Sequence, residues 1–178
     1  MRHMAMVLGW LAVSASVSAT MVVPADLGAL SRDAVAIARG RVVAIDGRWT
    51  EGRRAIHTIV TLEAEAYLKG GLGETVQFTV PGGLLGRYRN VVVGAPQFSV
   101  GQRVIVFLGA RGPMVPFVLG LHQGVFRIAR GASGQEVVTP PPVLPTTTGP
   151  IVRGRVPRDP TPLAAFERAI HELTEGDR

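Results

Sequence analysis

Residues 56–70 read IHTIVTLEAEAYLKG and alternate from end to end. Ile56, Thr58, Val60, Leu62, Ala64, Ala66 and Leu68 share one face, and His57, Thr61, Glu63, Glu65 and Tyr67 share the other. The rhythm describes a half-buried strand about twice the common length of roughly five or six residues. A strand that long coils across two faces of a sheet, and coiling favours a small closed barrel.

The segments on either side fit the same architecture. Residues 24–26 introduce Leu27, Leu30 and Ala34 at helical spacing, with Asp26 placed as the cap of a short helix. Residues 34–45 form a Val- and Ile-rich strand in which Gly40, between Arg39 and Arg41, marks a bulge or a close backbone approach. A polar hairpin loop follows at 46–55, and a Gly-rich turn at 68–74. Residues 75–80 alternate with Val76, Phe78 and Val80 inward, and 81–90 (PGGLLGRYRN) form a long Gly-rich loop. Short strands come next at 91–93, at 103–108 (RVIVFL, apolar on both faces), and at 116–121 and 124–129, joined through His122 and Gln123. A meander from 35 to 128 leaves no room for crossover helices, so the fold class is all-β, a small OB-like antiparallel β-barrel over 20–138. From Thr139 the chain turns Pro-rich, a linker or extended arm over 139–161. A short amphipathic helix closes it at 162–174, with Thr161 as cap, Pro162 in the first turn, and Leu163, Phe166, Ile170 and Leu173 on one stripe.

Residues 1–19 have the form of a secretory signal peptide: Arg2 and His3, an apolar run over 4–13, and small residues up to Ala19. Cleavage near Ala19 delivers the rest to the periplasm or the exterior. The apolar run falls short of the roughly twenty residues a span needs, so no stable membrane insertion is expected after cleavage. The chain has no cysteine, which excludes disulfides, thiolate metal sites and a cysteine nucleophile. Its net charge is +6, and Lys69 is the only lysine among 19 basic residues. An Arg excess alongside abundant Ala and Gly reads as a compositional bias, and no nucleic-acid partner is expected.

In a meander, the first and third connections meet at one end of the barrel. Arg48, Trp49, Arg53 and Arg54 then lie near Arg87, Tyr88 and Arg89, and these seven are the candidate partner-binding residues. Arg, Trp and Tyr dominate binding hot spots, although the same residues also suit a plain solvated loop end. The surface fits a protein partner in the envelope or extracellular space, or an anionic ligand. Nothing assembles into a catalytic set. Of His57, His122 and His171, the first two lack a second ligand at metal spacing and all three read as ordinary surface or turn histidines, and Glu63 and Glu65 read as the solvent side of a sheet. Gly82, Gly83 and Gly86 precede no Lys-Ser/Thr pair, and the serines lack a nucleophile elbow. The expectation is a binding module that is not an enzyme and uses no cofactor or metal.

The short helix, DAVAIARGRVV at 33–43, the strand ending YLKG at 67–70 and FSVGQRVIVFL at 98–108 resemble the netrin-like domain, the OB-type barrel of the tissue inhibitors of metalloproteinases. VPGG at 80–83, FSVG at 98–101 and GLHQGVF at 120–126 are similar to segments of uncharacterised exported bacterial proteins. The resemblance spans residues 26–128 and implies an OB-type barrel, with an inhibitor or accessory protein of an exported metalloprotease as the alternative function. The animal inhibitors chelate the protease zinc through an N-terminal cysteine. This chain has none, so only the resemblance of fold carries over.

Overall fold

Two long strands of equal length organise the fold. β1 (Ala36–Trp49) and β2 (Ile56–Lys69) each hold 14 residues and pair antiparallel throughout. The computed structural model describes residues 26–112, 114–141 and 159–176. The expected signal peptide and residues 142–158 of the Pro-rich stretch lie outside them.

The β1–β2 ladder steps out of register between Ile37 and Ala38, between Arg39 and Gly40, and between Val42 and Ala44. Leu68, Glu65 and Val43 are the residues left without an opposite partner, and each such insertion bends its strand. Gly40 stands at the middle step, where a Cβ would lie 2.1 Å from the Glu63 carbonyl oxygen. Only a residue without a side chain lets the two backbones approach that closely.

The bent pair recruits the other strands. β3 (Thr75–Pro81) pairs with β2 over residues 57–63, and β6 (Arg103–Gly109) pairs with the first half of β1. β7 (Phe117–Val118) lies parallel to β3 through Thr79↔Phe117 and antiparallel to β6 through Leu108↔Val118. β8 (Val125–Arg130) continues along β6, and β9 (Glu136–Thr139) pairs with β8. The expected meander therefore holds only for the first three strands. β6 returns to β1, β7 is inserted between β3 and β6, and β8 pairs with β6 instead of β7.

β6 carries apolar packing on both faces, as its sequence predicts. Val104, Val106 and Leu108 join Val42, Val60, Leu62 and Phe78 in one core cluster. Ile105 and Phe107 point the other way, beneath two helices, with Leu30, Phe126, Phe166 and Ile170. The first helix, α1 (Leu27–Asp33), is capped by Asp26, whose Oδ1 accepts from the Ala29 N–H at 2.6 Å. Lys69 Nζ donates to the Ser31 and Arg32 carbonyls at 2.7 and 2.9 Å, so the only lysine closes the C-terminus of α1. The second helix, α2 (Leu163–Glu175), buries Leu163, Phe166 and Ile170, and the Phe166 ring lies 4.8 Å from that of Phe126. Leu173 ends the stripe 38% exposed.

Several local expectations are corrected. β1 runs on to Trp49, and the loop shrinks to 50–55. Residues 81–90 contain a hairpin, β4 (Gly83–Leu85) and β5 (Tyr88–Asn90), in place of an irregular loop. Val91–Val93 form no strand: the chain turns over 92–95, where Ala95 N donates to Val92 O at 3.1 Å and Gly94 takes a φ of 82°. Thr161 does not cap α2. Thr161 and Pro162 form β10, which pairs antiparallel with β9 through Thr161↔Val138 and Pro162↔Val137. Both ends of the Pro-rich stretch are therefore tied together, and it returns to the sheet instead of leading away from it.

Candidate functional site

The end of the β1–β2 hairpin is fixed by Thr50. Its N–H donates to Ala55 O at 2.8 Å, and its Oγ1 accepts from the Ala55 N–H at 3.0 Å. Within this turn Gly52 and Arg53 are left-handed, with φ of 72° and 54°. For arginine that backbone costs about 1 kcal/mol or more, and it sets the side chain back toward β1.

The second hairpin is laid across this end. Leu85 and Tyr88 flank a two-residue turn in which Gly86 takes a φ of 59°. Gly82 N donates to Ile56 O at 3.0 Å, and Thr58 Oγ1 donates to Gly82 O at 2.8 Å. A Cβ on Gly47 would lie 2.0 Å from Leu84 O, so β4 sits flush on β1 only because position 47 is glycine.

This docking joins the two halves of the predicted surface. The Trp49 and Tyr88 rings meet edge to face at 5.4 Å and 61°. The Arg53 guanidinium lies 5.7 Å over the Trp49 ring, and that of Arg87 lies 5.1 Å over Tyr88 and donates to its hydroxyl at 3.0 Å. Each stacking contributes roughly 0.5–1 kcal/mol at an exposed site. The remaining three candidates stay outside the cluster. Arg48 precedes Trp49 on the strand and so faces the other side, opposite His57. Arg89 pairs with Leu84 and shares its outward face, and Arg54 is exposed in the turn.

The surface is cationic and rimmed with apolar side chains. Asp46 and Glu51 are the only carboxylates on its two segments, and the ion pairs among the described residues all belong to Arg39 and Arg103 instead. Leu84 is 63% exposed, Val91 76% and Val93 84%, all within a few residues of Arg87 and Arg89.

A second charged cluster escapes a reading of the sequence. Glu65, assigned with Glu63 to a solvent face, accepts from Arg103 Nε at 2.8 Å and Nη2 at 2.6 Å, and lies 3.5 Å from Arg39 Nε. Arg39 also pairs with Glu167 of α2, and Arg103 with Glu136 of β9. The hydrogen bond from Arg103 holds the Glu65 carboxyl below its ordinary value, and its partner Arg103 is held still more firmly protonated. Glu65 lies on the same face as Glu63, Arg41 and Arg103, as the alternation of the strand predicts. The pairing of Arg41 with Arg103 across β1 and β6 brings basic residues beside β2, a long-range register that no local sequence pattern announces. With every member paired, the cluster fastens β9 and α2 to the sheet and supplies no free acid or base.

The histidines stand apart. His122 lines a cavity of about 210 Å³ with Gln97, Arg127, Pro96, Pro140 and Pro141. Its Nδ1 is 3.0 Å from Gly94 O, and Arg127 donates to Gln97 O at 3.1 Å. His171 is exposed on α2. Among the described residues no three His, Asp or Glu side chains gather as a metal site. No protein-family model matches the chain, and neither a curated protein nor a solved structure matches it.

Proposed function

We propose that this chain is an exported, non-enzymatic binding module that contacts a protein partner through the Arg- and aromatic-bearing end of an OB-like barrel. The observation that carries the reading is the Trp49–Tyr88 pair with Arg53 and Arg87 stacked on it. Two rigid amphipathic rings, held by two docked hairpins, offer contact area at little entropic cost on binding, and arginines without carboxylate partners steer an acidic surface toward them.

The barrel reading draws support from the pairings, which run β1–β2–β3–β7–β6 and back to β1, with β3 and β7 parallel. In such a barrel Leu62, Phe78, Val104 and Val106 fill the interior, and contacts with other molecules belong on its rim. The resemblance of residues 26–128 to the netrin-like domain agrees with this architecture, and residues 1–19 supply the export signal.

The test is a crosslinking pull-down from the periplasmic or secreted fraction of the producing cell, comparing wild type with Arg53→Glu/Arg87→Glu. The double variant is expected to lose the partner that the wild type captures. Recovery of the same partners at the same yield would show that this end of the molecule is not the contact surface.

A further inference from the structure

The β4–β5 hairpin has an open edge. β5 pairs only with β4 among the described residues, and no backbone hydrogen bond outside the hairpin involves Arg89, Val91 or Val93. Leu85 and Tyr88 flank the two-residue turn and so form a hydrogen-bonded pair, which makes the next pair, Leu84↔Arg89, a non-hydrogen-bonded one. The backbone groups of Leu84 and Arg89 therefore point out of the hairpin. Those of Leu84 meet Gly47 on β1, as the close approach of Leu84 O records. Those of Arg89 meet no partner among the described residues. Val91, the next residue along that edge, is 76% exposed, and beyond it the chain turns over 92–95, where Ala95 N donates to Val92 O at 3.1 Å.

We infer that the partner docks as an extended acidic segment that adds to the β5 edge as a further strand. This rests on reading this end of the molecule as the contact surface. Main-chain hydrogen bonds to the Arg89 and Val91 backbone supply the attachment, and because Arg89 and Val91 share one face, Arg89 meets a carboxylate and Val91 an apolar side chain two residues from it on the added strand. Charge complementarity selects the occupant. Arg48, Arg53, Arg54, Arg87 and Arg89 have no carboxylate partner among the described residues, and a basic segment would be repelled. The same cations would also meet anionic lipid head groups. The free backbone edge favours a polypeptide, because lipid cannot exploit it.

The probe is a short labelled peptide with glutamate and valine two residues apart, so that both lie on one strand face between threonines. It is titrated by fluorescence anisotropy into the mature chain beside phosphatidylglycerol vesicles and a counterpart with lysine in place of glutamate. The acidic peptide is expected to bind at least about tenfold more tightly than the basic one. Amide exchange at Arg89 and Val91 should slow in the complex. Val91→Pro, which removes the N–H at an exposed position, should abolish binding, Val91→Thr should retain it, and Arg89→Glu should weaken it in a chain with unchanged circular dichroism. Equal binding of both peptides, full binding by Val91→Pro, amide protection elsewhere, or binding to vesicles alone would each overturn strand addition. If Val91→Pro keeps the natural partner while Arg53→Glu/Arg87→Glu loses it, strand addition fails and the contact surface stands.

Discussion

Glu65 shows how a neighbouring strand changes the role of a side chain. It shares its face with Glu63 and Arg41, but Arg103 of β6 reaches across to it with two hydrogen bonds and leaves its side chain only 27% exposed. Its depressed pKa means that the folded state holds the ionised form more tightly than the unfolded chain does. The resulting stabilisation is complete above the ordinary value of 4.5 and is lost as pH falls through the lower folded value. Glu65→Gln is expected to cost about 1 kcal/mol at neutral pH, a figure kept small by partial solvent exposure. The difference from wild type should shrink in urea melts at pH below 4.5. A constant difference across that range would dissociate the ion pairs from the titration of Glu65.

The hairpin elements owe their positions to close backbone contacts. Gly47→Val is expected to push β4 off β1, because a Cβ there meets Leu84 O at 2.0 Å. The clash should part Trp49 from Tyr88 and change the near-ultraviolet circular dichroism, with a stability loss of about 1–3 kcal/mol. An unaltered aromatic spectrum would mean that the hairpin seats itself without β1. The sequence announces some of these features and conceals others, for physical reasons. Alternation over 56–69, the Asp26 cap, Gly40 and the Leu163/Phe166/Ile170 stripe are local patterns, and each is legible. The β4–β5 hairpin is hidden by strands of three residues, too short for a rhythm, although Gly86-Arg87 between Leu85 and Tyr88 has the form of a two-residue turn. β10 holds two residues and a proline, and only its pairing with β9 makes it a strand. The meeting of Trp49 with Tyr88 follows from loop proximity, whereas the outward turn of Arg48 and Arg89 depends on exact strand boundaries that composition does not resolve.

Over the whole molecule, packing falls into two apolar clusters divided by β6, one between the strands and one beneath the helices. α2 belongs wholly to the second, through Phe166, Ile170 and Leu163, and is fastened by the Arg39–Glu167 pair. The antiparallel match of Thr161 with Val138 brings the polypeptide back to the point from which it departed. Assembly is therefore expected to tolerate a break in the main chain between these two points. A protein severed there should survive as a two-piece complex: fragments 26–141 and 159–178, expressed together, should co-purify and melt in one transition. Phe166→Ala, which removes about 3–5 kcal/mol of burial, should separate them. Intact fragments that fail to find each other would reveal that the tether, and not the fit, holds the closing helix in place.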